Sequence, residues 1–526
     1  MLSSEPSRTG RRSERTGHRQ LAGDVAVDPF RADRDRVSSS AFFARLGGVT
    51  QVVSPSGSGL LLHNRLTHSL KVANVARALA ERLLRDPANA DALSRLGGLD
   101  GDVVEAAALG HDLGHPPFGH LGEAVLDRLA RERFALPDGF EGNAQSFRIV
   151  SRIDVRGIEA EGLDLTAAVR AALLKYPWTR LARPQPHPRH MPSPPRGASE
   201  PEEAPGTGSA KFSCYITELD DMQDCRAAFA GRIEDWQQTV EASIMDTADD
   251  IAYAIHDVED FHRVGILQHT TVSHELTAWL GQFAEFGTLT DAELAAASSR
   301  PGLSLERLRR RLKAKDAWIA DDEAFVSAVK KVVANLVTKL LEVPFDRSKQ
   351  AEQAVAAFSG EWTRRLVEGI RLDEHPTTRS GHVALAVEQW HEVQVLKFVH
   401  RRFVLQRPDL ALHQRGQDRL LTKLVEALDN WLIDRSEAAR LPYRLRDLFD
   451  GARDELRALQ TDAPDALVRP GETLPSGAER ERHLERMARG RAVIDFVASL
   501  TDEQAAALLE ALSGRTTQLW SDTFVL

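Results

Sequence analysis

Residues 105–123 read EAAALGHDLGHPPFGHLGE, in which a small-residue helix is followed by five ionisable side chains within thirteen positions. These side chains are His111, Asp112, His115, His120 and Glu123. Burying so many such groups is costly unless they bind a metal or carry out chemistry, and the alternative is a polar surface loop. Pro116 and Pro117 end the helix, and the neighbouring glycines allow the backbone to bend closely around a site. The stretch therefore predicts a functional site at a helix end.

A further histidine, His68, lies upstream on a predicted helix. Val72, Val75 and Leu79 follow it at spacings of four, seven and eleven, so His68 shares an inward face with them. A single histidine at such a position is more often a hydrogen-bonded core residue than a metal ligand. The stretch 105–123 favours the ligand interpretation of His68. His111 and Asp112 are adjacent at one helix end, so a metal bound there would need further ligands from other helices.

The segment 244–260, IMDTADDIAYAIHDVED, contains the best partner for that site. Asp249, Tyr253 and Asp257 are spaced four residues apart and therefore form one stripe on one helix face. A stripe of this kind is usually a solvated face, but the isoleucines and alanines beside it leave little other polar surface. We therefore interpret this segment as the source of a further metal ligand.

Two histidines and two carboxylates make a mixed nitrogen and oxygen ligand set. Such a set suits Mg²⁺, Mn²⁺, Fe²⁺ or Zn²⁺, and no thiolate is present to favour zinc. A divalent ion bound there would polarise a phosphoryl oxygen and activate or orient water. His120 and Glu123, three residues apart, would then form a general acid/base pair in which the carboxylate orients the imidazole.

The hydrophobic pattern is helical through most of the chain and strand-like alternation is scarce, which predicts an all-α protein. Residues 1–28 are basic and lack hydrophobic periodicity, so we expect a disordered tail, with contact to nucleic acid as the alternative. Residues 184–210 are dense in proline and have no apolar face. They are expected to form a flexible insertion.

Composition excludes several classes of protein. The 526-residue chain is 42% hydrophobic and 27% charged, as expected of a globular protein with a sizeable core. Its formal net charge of −10 opposes bulk attraction to nucleic acids or anionic membranes. No apolar run approaches the ~18 residues of a membrane span and the N-terminal residues are charged, so we expect a cytoplasmic protein without a membrane partner. Cys214 and Cys225 match neither a CxxC pair nor a disulfide framework.

Several motifs resemble those of the deoxynucleoside triphosphate triphosphohydrolases, a dGTPase-like family within the HD-domain phosphohydrolase superfamily. They are NRLTHSL (64–70), HDLGHPPFGHLGE (111–123), FEGNAQSFRI (140–149), LLKYPW (173–178) and MDTADDIAYAIHDVED (245–260). The resemblance implies an HD helical core over 29–265 and a helical C-terminal region over 266–526. It implies hydrolysis of a deoxynucleoside triphosphate to a deoxynucleoside and triphosphate. A divalent metal, Mg²⁺ or Mn²⁺ before Fe²⁺ or Zn²⁺, is the implied cofactor.

The resemblance also assigns residues. The metal ligands it implies are His68, His111, Asp112 and Asp249. Asp249 is preferred to Asp250 because the family spaces its metal aspartate, substrate tyrosine and second aspartate four residues apart. The implied catalytic residues are His120 and Glu123, with His115 beside the triphosphate.

The implied substrate-binding residues are spread along the chain. Gln51 and Val52 match a segment near the base and deoxyribose, although the family has charged residues where this chain reads RLGGVTQVV. The remaining positions are Asn143, Lys175, Tyr176, Tyr253, Asp257 and Arg491. For Arg491 a surface arginine is an equally good interpretation, since the C-terminal half resembles the family only faintly.

Two other classes of function stay open from the sequence. One is a different HD phosphohydrolase, a nucleotidase or phosphodiesterase, against which FEGNAQ and KYPW argue. The other is a nucleotide or nucleic-acid sensor with a vestigial site, against which the retention of His120 and Glu123 argues. The resemblance further implies a homo-oligomer and allows an allosteric nucleotide or single-stranded nucleic acid as a partner.

Overall fold

The structure is a computed structural model of the full chain. Within the part that it describes, it contains twenty α-helices and two short strands, so the predicted all-α class is confirmed. The described residues are 12–15, 28–52, 62–157, 161–181, 191, 193–198, 211–297, 300–469, 471–517 and 520.

Ten of these helices lie in the first half of the chain and begin at well-defined caps. Asn64 and Thr67 form a reciprocal capping box at the start of the third helix, and Asp100 caps the fifth. The ten helices are α1 (Pro29–Ser38), α2 (Ala41–Arg45), α3 (Arg65–Arg85), α4 (Ala90–Arg95), α5 (Gly101–Gly110), α6 (Gly119–Glu132), α7 (Gly142–Arg148), α8 (Ala167–Ala172), α9 (Leu219–Ala227) and α10 (Val240–Arg263). Short 3₁₀ turns cover Leu46–Gly48, Pro87–Asn89 and Ile216–Glu218, and a π-helical turn covers Ile149–Ile153.

The second half of the chain is helical as well. Its helices are α11 (His269–Thr288), α12 (Asp291–Ala296), α13 (Leu303–Lys315), α14 (Asp322–Val332), α15 (Lys349–Glu368), α16 (Val387–His400), α17 (Pro408–Ile433), α18 (Tyr443–Asp462), α19 (Gly477–Ala498) and α20 (Asp502–Leu512). Two π-helical stretches, Val333–Leu341 and Arg401–Leu405, extend α14 and α16, and 3₁₀ turns cover Arg435–Arg440 and Pro464–Leu467. Strands β1 (Ile370–Leu372) and β2 (Val383–Leu385) pair antiparallel with Ile370 opposite Leu385.

A first hydrophobic core surrounds α3, α5 and α10, which pack against one another. Helix α1 covers α5, and α16 packs against both α10 and α14. This core contains buried residues from Val37 to Val404, so it continues without interruption across residue 265. The helices on either side of that position therefore stabilise one another by sharing buried apolar surface.

A second core joins one helix of the N-terminal half to the C-terminal helices. Helix α6 contributes Leu126 and Ala130, both fully buried, to a cluster that is otherwise formed largely by α17, α18, α19 and α20. The helix that begins at Gly119 thus belongs to the second core, although its sequence neighbours in α5 belong to the first.

Residues 12–15 depart from the expected disordered tail. The Arg12 guanidinium is paired with Glu241 and donates to the carbonyl of Gly97 at 2.9 Å. Arg15 donates to Asp33 at 2.6 Å. These side chains are held because Glu241 and Asp33 are buried carboxylates that need cationic partners. The remaining residues of 1–27 lie outside the described part of the chain.

Residues 193–198 likewise depart from the expected flexible insertion. Ala198 is buried in a small cluster with Trp178, Phe212 and Tyr215. The carbonyl of Gly197 accepts from the Lys211 amide at 3.2 Å. The prediction failed here because alanine and glycine pack closely without a long apolar face. Most other residues of 184–210 lie outside the described part.

Two further properties concern the described residues only. None of their helices combines the length and the apolar composition that a bilayer span requires. Cys214 and Cys225 are both free and buried, and burial raises the pKa of each thiol.

Candidate metal and phosphate site

Three helices of the first core bring the four predicted metal ligands together. His68 lies in the first turn of α3, His111 and Asp112 follow the end of α5, and Asp249 lies midway along α10. The His68 Nε2 atom is 3.2 Å from Asp249 Oδ1, and His111 Nε2 is 3.4 Å from Asp112 Oδ1 and 3.8 Å from Asp249 Oδ1. Residues that are up to 181 positions apart therefore form one cluster.

His111 is prepared to bind a cation. Its Nδ1 atom donates to the Ala108 carbonyl at 2.6 Å, which leaves the Nε2 lone pair directed into the cluster. That Nε2 atom is buried and has no hydrogen-bond partner among the described residues. Ligand atoms of His68, His111 and Asp112 lie within 4.8 Å of one another. The donor set and the unpaired nitrogen fit a divalent metal.

Asp112 is held by residues on either side of it. Arg65 donates to Oδ2 at 2.8 Å, and His115 Nδ1 is 3.0 Å from Oδ1. Burial alone would raise the pKa of Asp112, but Arg65, His111 and His115 outweigh it and keep the pKa well below its usual range. Asp112 is therefore a carboxylate. Sequence reasoning missed Arg65, whose only signal was its place in the RLTHS segment.

Lys175, predicted to contact phosphate, lies directly behind Asp249. Its Nζ atom is 2.9 Å from Asp249 Oδ2 and 2.8 Å from Asp246 Oδ1. Burial opposes the charge, yet the two carboxylates raise the pKa of Lys175 well above its ordinary value. Tyr176, next in the chain, lines a cleft with Lys175, Arg196 and Asp246. Asp246 and Arg196 were missed because only the folded chain puts them beside this lysine.

The predicted catalytic pair forms a second cluster. His120 Nδ1 is 3.0 Å from Glu123 Oε2, and the His120 side chain is 68% exposed whereas Glu123 is buried. Lys211 donates to Glu123 at 2.6 Å and to Glu141 at 2.8 Å. Burial favours a neutral Glu123, but Lys211 and His120 prevail and hold its pKa well below the usual range. Lys211 follows the proline-rich insertion and carried no sequence signal.

His115 lies between the two clusters. Its ring centroid is 5.2 Å from that of His120, and its Nδ1 atom contacts Asp112. Burial, assisted by Arg65, lowers the pKa of His115 to about 4. The free site therefore presents His115 at neutral pH as a hydrogen-bonding group and not as a positive charge.

Gln51 and Val52 lie beside the start of α6. Asp502 of α20 holds this region, because it accepts from the Thr50 amide at 3.1 Å and from the Phe118 amide at 2.8 Å. Gly119 has a φ of +58°, and a Cβ atom there would lie 2.8 Å from Arg65 and 3.2 Å from the Thr50 carbonyl. A glycine is therefore required where the Gln51 segment crosses α6.

Asn143 is half-buried and already engaged. Its side-chain amide donates to Glu141 at 2.9 Å, and its backbone amide donates to the same carboxylate at 2.6 Å. Burial raises the pKa of Glu141 to about 7 in spite of Lys211. Asn143 is thus connected to the His120 cluster indirectly: it contacts Glu141, and Lys211 bridges Glu141 and Glu123.

Tyr253 and Asp257 meet a residue from the second half of the chain. The Tyr253 hydroxyl is 2.8 Å from His400 Nδ1, and that nitrogen is 3.1 Å from Asp257 Oδ2. Burial, together with Asp260, raises the pKa of Asp257 well above its ordinary value. His400 carried no motif in the sequence.

Arg491 is buried, with 5% of its surface exposed, so its interpretation as a surface arginine is wrong. Its guanidinium carbon lies 4.1 Å from the centre of the Tyr215 ring, and its side chain contacts Asp495 and the Gly139 carbonyl. Tyr215 in turn contacts the backbone of Glu141. These contacts put Arg491 behind the His120 cluster.

A helical core that presents a histidine from one helix, a His-Asp doublet from another and an aspartate from a third defines an HD-domain protein. The HD-domain family model matches residues 65–254. The "deoxyguanosinetriphosphate triphosphohydrolase-like protein" of Streptomyces coelicolor is 32% identical over 505 residues, which cover 92% of each chain. The chain therefore belongs to this dGTP triphosphohydrolase-like family of HD phosphohydrolases, and the resemblance seen in its sequence is confirmed.

Two other relatives carry similar names. The deoxyguanosinetriphosphate triphosphohydrolase-like protein of Corynebacterium diphtheriae is 38% identical over 76% of this chain and 79% of its own. A protein of Mesorhizobium japonicum, deoxyguanosinetriphosphate triphosphohydrolase-like protein 2, is 38% identical over 46% of this chain and 47% of its own. The similarity to the Streptomyces coelicolor protein, over 505 residues and 92% of this chain, extends through both halves of the molecule.

Proposed function

We propose that this protein hydrolyses deoxynucleoside triphosphates to a deoxynucleoside and inorganic triphosphate. The observation that carries the proposal is the pair of clusters described above. One offers an unpaired, buried His111 Nε2 atom beside His68, Asp112 and Asp249. The other cluster presents the exposed His120 imidazole, which is held by Glu123. The His115 ring lies between the two clusters.

His68, His111, Asp112 and Asp249 would hold one divalent ion. We propose Mg²⁺ or Mn²⁺, as the resemblance to the family implies, and two imidazoles and two carboxylates without a thiolate are compatible with either ion. When bound, the ion supplies Lewis-acid polarisation of a phosphoryl oxygen and orientation of the attacking water. Lys175 would add a fixed positive charge beside the phosphates, since its ammonium is held in place by Asp246 and Asp249.

His120 is the group that would move a proton. Glu123 accepts from Nδ1, so Nε2 faces outward and is available to the substrate. Attack of water on the α-phosphorus breaks the bond to the nucleoside O5′, which must gain a proton as it leaves. His120 Nε2 would donate that proton, and the buried Glu123 carboxylate would stabilise the imidazolium. His115 would lie beside the triphosphate, as the resemblance implies; because its Nδ1 hydrogen faces Asp112, a hydrogen bond from Nε2 to a phosphate oxygen would require the ring to be protonated when the phosphates bind.

Identification of the phosphate product tests the proposal. The protein is incubated with each dNTP and NTP in the presence of Mg²⁺ or Mn²⁺, and the released phosphate species is separated by ion chromatography. We expect triphosphate from dNTPs. Orthophosphate or a monophosphate would instead indicate a nucleotidase or phosphodiesterase, and nucleotide binding without turnover would indicate a sensor.

The metal assignment is tested in the same experiment. His111→Ala should lose bound metal and fall below detectable turnover, since it removes one of four ligands. His375→Ala, at an exposed histidine, is the matched control and should behave as the wild type. Normal metal content and activity in His111→Ala would contradict the assignment.

A further inference from the structure

The first residue of α20 binds two segments that are far from it in the sequence. Asp502 Oδ1 accepts from the Phe118 amide at 2.8 Å, and Oδ2 accepts from the Thr50 amide at 3.1 Å and from the Thr50 hydroxyl. Asp502 is only 7% exposed. Its partners lie 384 and 452 positions before it in the chain, so local structure explains neither contact.

Asp502 is not needed to cap its own helix. A reciprocal capping box built on Thr501 already closes the start of α20. The same box occurs at the start of α12, where Asp291 takes the corresponding place. The Asp291 side chain is 90% exposed. Burial of the Asp502 carboxylate is therefore not a requirement of the capping motif.

The turn that Asp502 contacts has an unusual backbone. Phe118 has a φ of +65° and Gly119 has a φ of +58°, so both residues adopt the left-handed conformation. Glycine does so without steric cost, whereas phenylalanine in this conformation is strained and persists only where its surroundings hold it. The hydrogen bond from the Phe118 amide to the buried Asp502 carboxylate is a contact of that kind.

The direction of His120 depends on this turn. His120 is the second residue of α6 and follows the left-handed pair directly. Its partner Glu123 lies in the same helix, so their hydrogen bond would survive a rotation of the turn. The distance of 5.2 Å between the ring centroids of His120 and His115 would not survive it, because His115 lies before the turn.

The start of α20 is itself fixed, which gives Asp502 a firm base. Arg45 donates to two carbonyls that directly precede this helix, at 2.7 and 2.9 Å. A Cβ atom at Gly48 would lie 2.6 Å from the Thr501 side chain, so the backbone there packs closely on the helix start. Asp502 can therefore restrain the turn without moving towards it.

We propose that Asp502 is a positioning residue that holds the left-handed turn at Phe118, and with it the imidazole of His120, in place beside His115. The inference rests on the proposed function and deepens it, because it adds a residue of the C-terminal helices to the groups that orient the acid/base histidine. Asp502 acts through the turn.

Replacement of Asp502 tests the proposal. Asp502→Ala removes both acceptors and should lower kcat by roughly ten- to a hundredfold, since small displacements of a catalytic group are costly. Bound metal should persist. Amide hydrogen exchange around Phe118, followed by mass spectrometry, should become at least about tenfold faster. Asp502→Asn keeps one acceptor and should fall between. Asp291→Ala, at the same place of the other capping box, is the matched control and should change neither readout.

A substitution in the turn separates positioning from a general loss of structure. In a Phe118→Gly background, Asp502→Ala should lower kcat less than about threefold, because a glycine adopts the left-handed conformation without strain and needs no restraint. Circular dichroism and thermal melting would show that the variants fold. An equal loss of kcat in both backgrounds would overturn the inference, as would unchanged exchange and kcat in Asp502→Ala alone.

The two proposals fail differently. If the wild type released triphosphate from dNTPs and Asp502→Ala kept the wild-type kcat, only the role of Asp502 would be lost. If the wild type neither bound nor hydrolysed any dNTP, the proposed function would fall and the role of Asp502 with it, even where the exchange rates changed as expected.

Discussion

Two histidines of one short stretch, His115 and His120, have opposite environments although they lie only five positions apart. Burial, assisted by the nearby Arg65, lowers the pKa of His115 to about 4. His120, in contrast, is largely exposed and is held by a carboxylate. The imidazole of His115 is therefore neutral at neutral pH. Local environment, and not residue type, separates the two histidines here.

At this scale we predict that His120→Ala lowers kcat by roughly 10²–10⁴, the usual contribution of a general acid or base. Bound metal should persist, because the four proposed metal ligands are in the other cluster. Glu123→Gln should give a smaller loss of the same kind. Single-turnover rates measured together with metal content would check this. Loss of metal in His120→Ala would instead make His120 a ligand, since His115, His120 and Glu123 also lie close enough to hold an ion.

At the scale of elements, α10 organises the site along one face. Asp246, Asp249, Tyr253 and Asp257 follow one another at spacings of three and four residues, and they meet three side chains from neighbouring elements. The partners are Lys175, His68 and His400. Segment 193–198 lines the same cleft as Lys175, and the backbone of Gly197 packs close to the Tyr176 ring.

We predict that Gly197→Ala raises the KM for dNTPs by roughly tenfold or more. A Cβ atom there would lie 2.7 Å from the Tyr176 ring and 2.8 Å from Lys211 Cβ, so both residues must move. Gly231→Ala is the matched control, because Gly231 also has a positive φ but meets nothing within 4 Å. Each substitution should cost about 1–2 kcal/mol in stability from the left-handed backbone. An equal KM in the two variants would show that the packing of Gly197 against Tyr176 does not affect substrate binding.

At the scale of the whole molecule, long-range contacts hold the two cores and the site together. One Arg45 nitrogen donates to the carbonyls of Leu113 and His115, and the other donates to those of Ala498 and Leu500. The turn that carries the His-Asp doublet is thereby tied to the end of α19. Arg12 is tied to the start of α10 in a comparable way through Glu241.

We predict that deletion of residues 1–15 lowers the free energy of unfolding by about 3–5 kcal/mol. The deletion removes Arg12 and leaves Glu241, which is 1% exposed, without its cationic partner. Deletion of 1–11 keeps the pair and is the control. Adding Glu241→Gln to the longer deletion should recover part of the loss, since an uncharged amide costs less to bury. Denaturant unfolding would measure these differences, and equal stability of the two deletions would contradict the prediction.

The sequence by itself determined what depends on spacing along the chain. Helical periodicity predicted the all-α class, because a 3.6-residue repeat is a local property. The same reasoning put Asp249, Tyr253 and Asp257 on one face and singled out His111 and Asp112 at a helix end. The motifs also led to the family, since long contiguous strings are specific.

Tertiary structure alone decided which distant side chains complete the site. Lys211 reaches Glu123 across 88 positions, His400 reaches Tyr253 across 147, and Arg12 reaches Glu241 across 229. No periodicity connects such residues, because their approach depends on how whole helices pack. Membership of the cores was decided in the same way, so α6 packs with the C-terminal helices and the first core crosses residue 265. The physical reason is that burial of apolar surface selects among helix arrangements only once the entire chain is present.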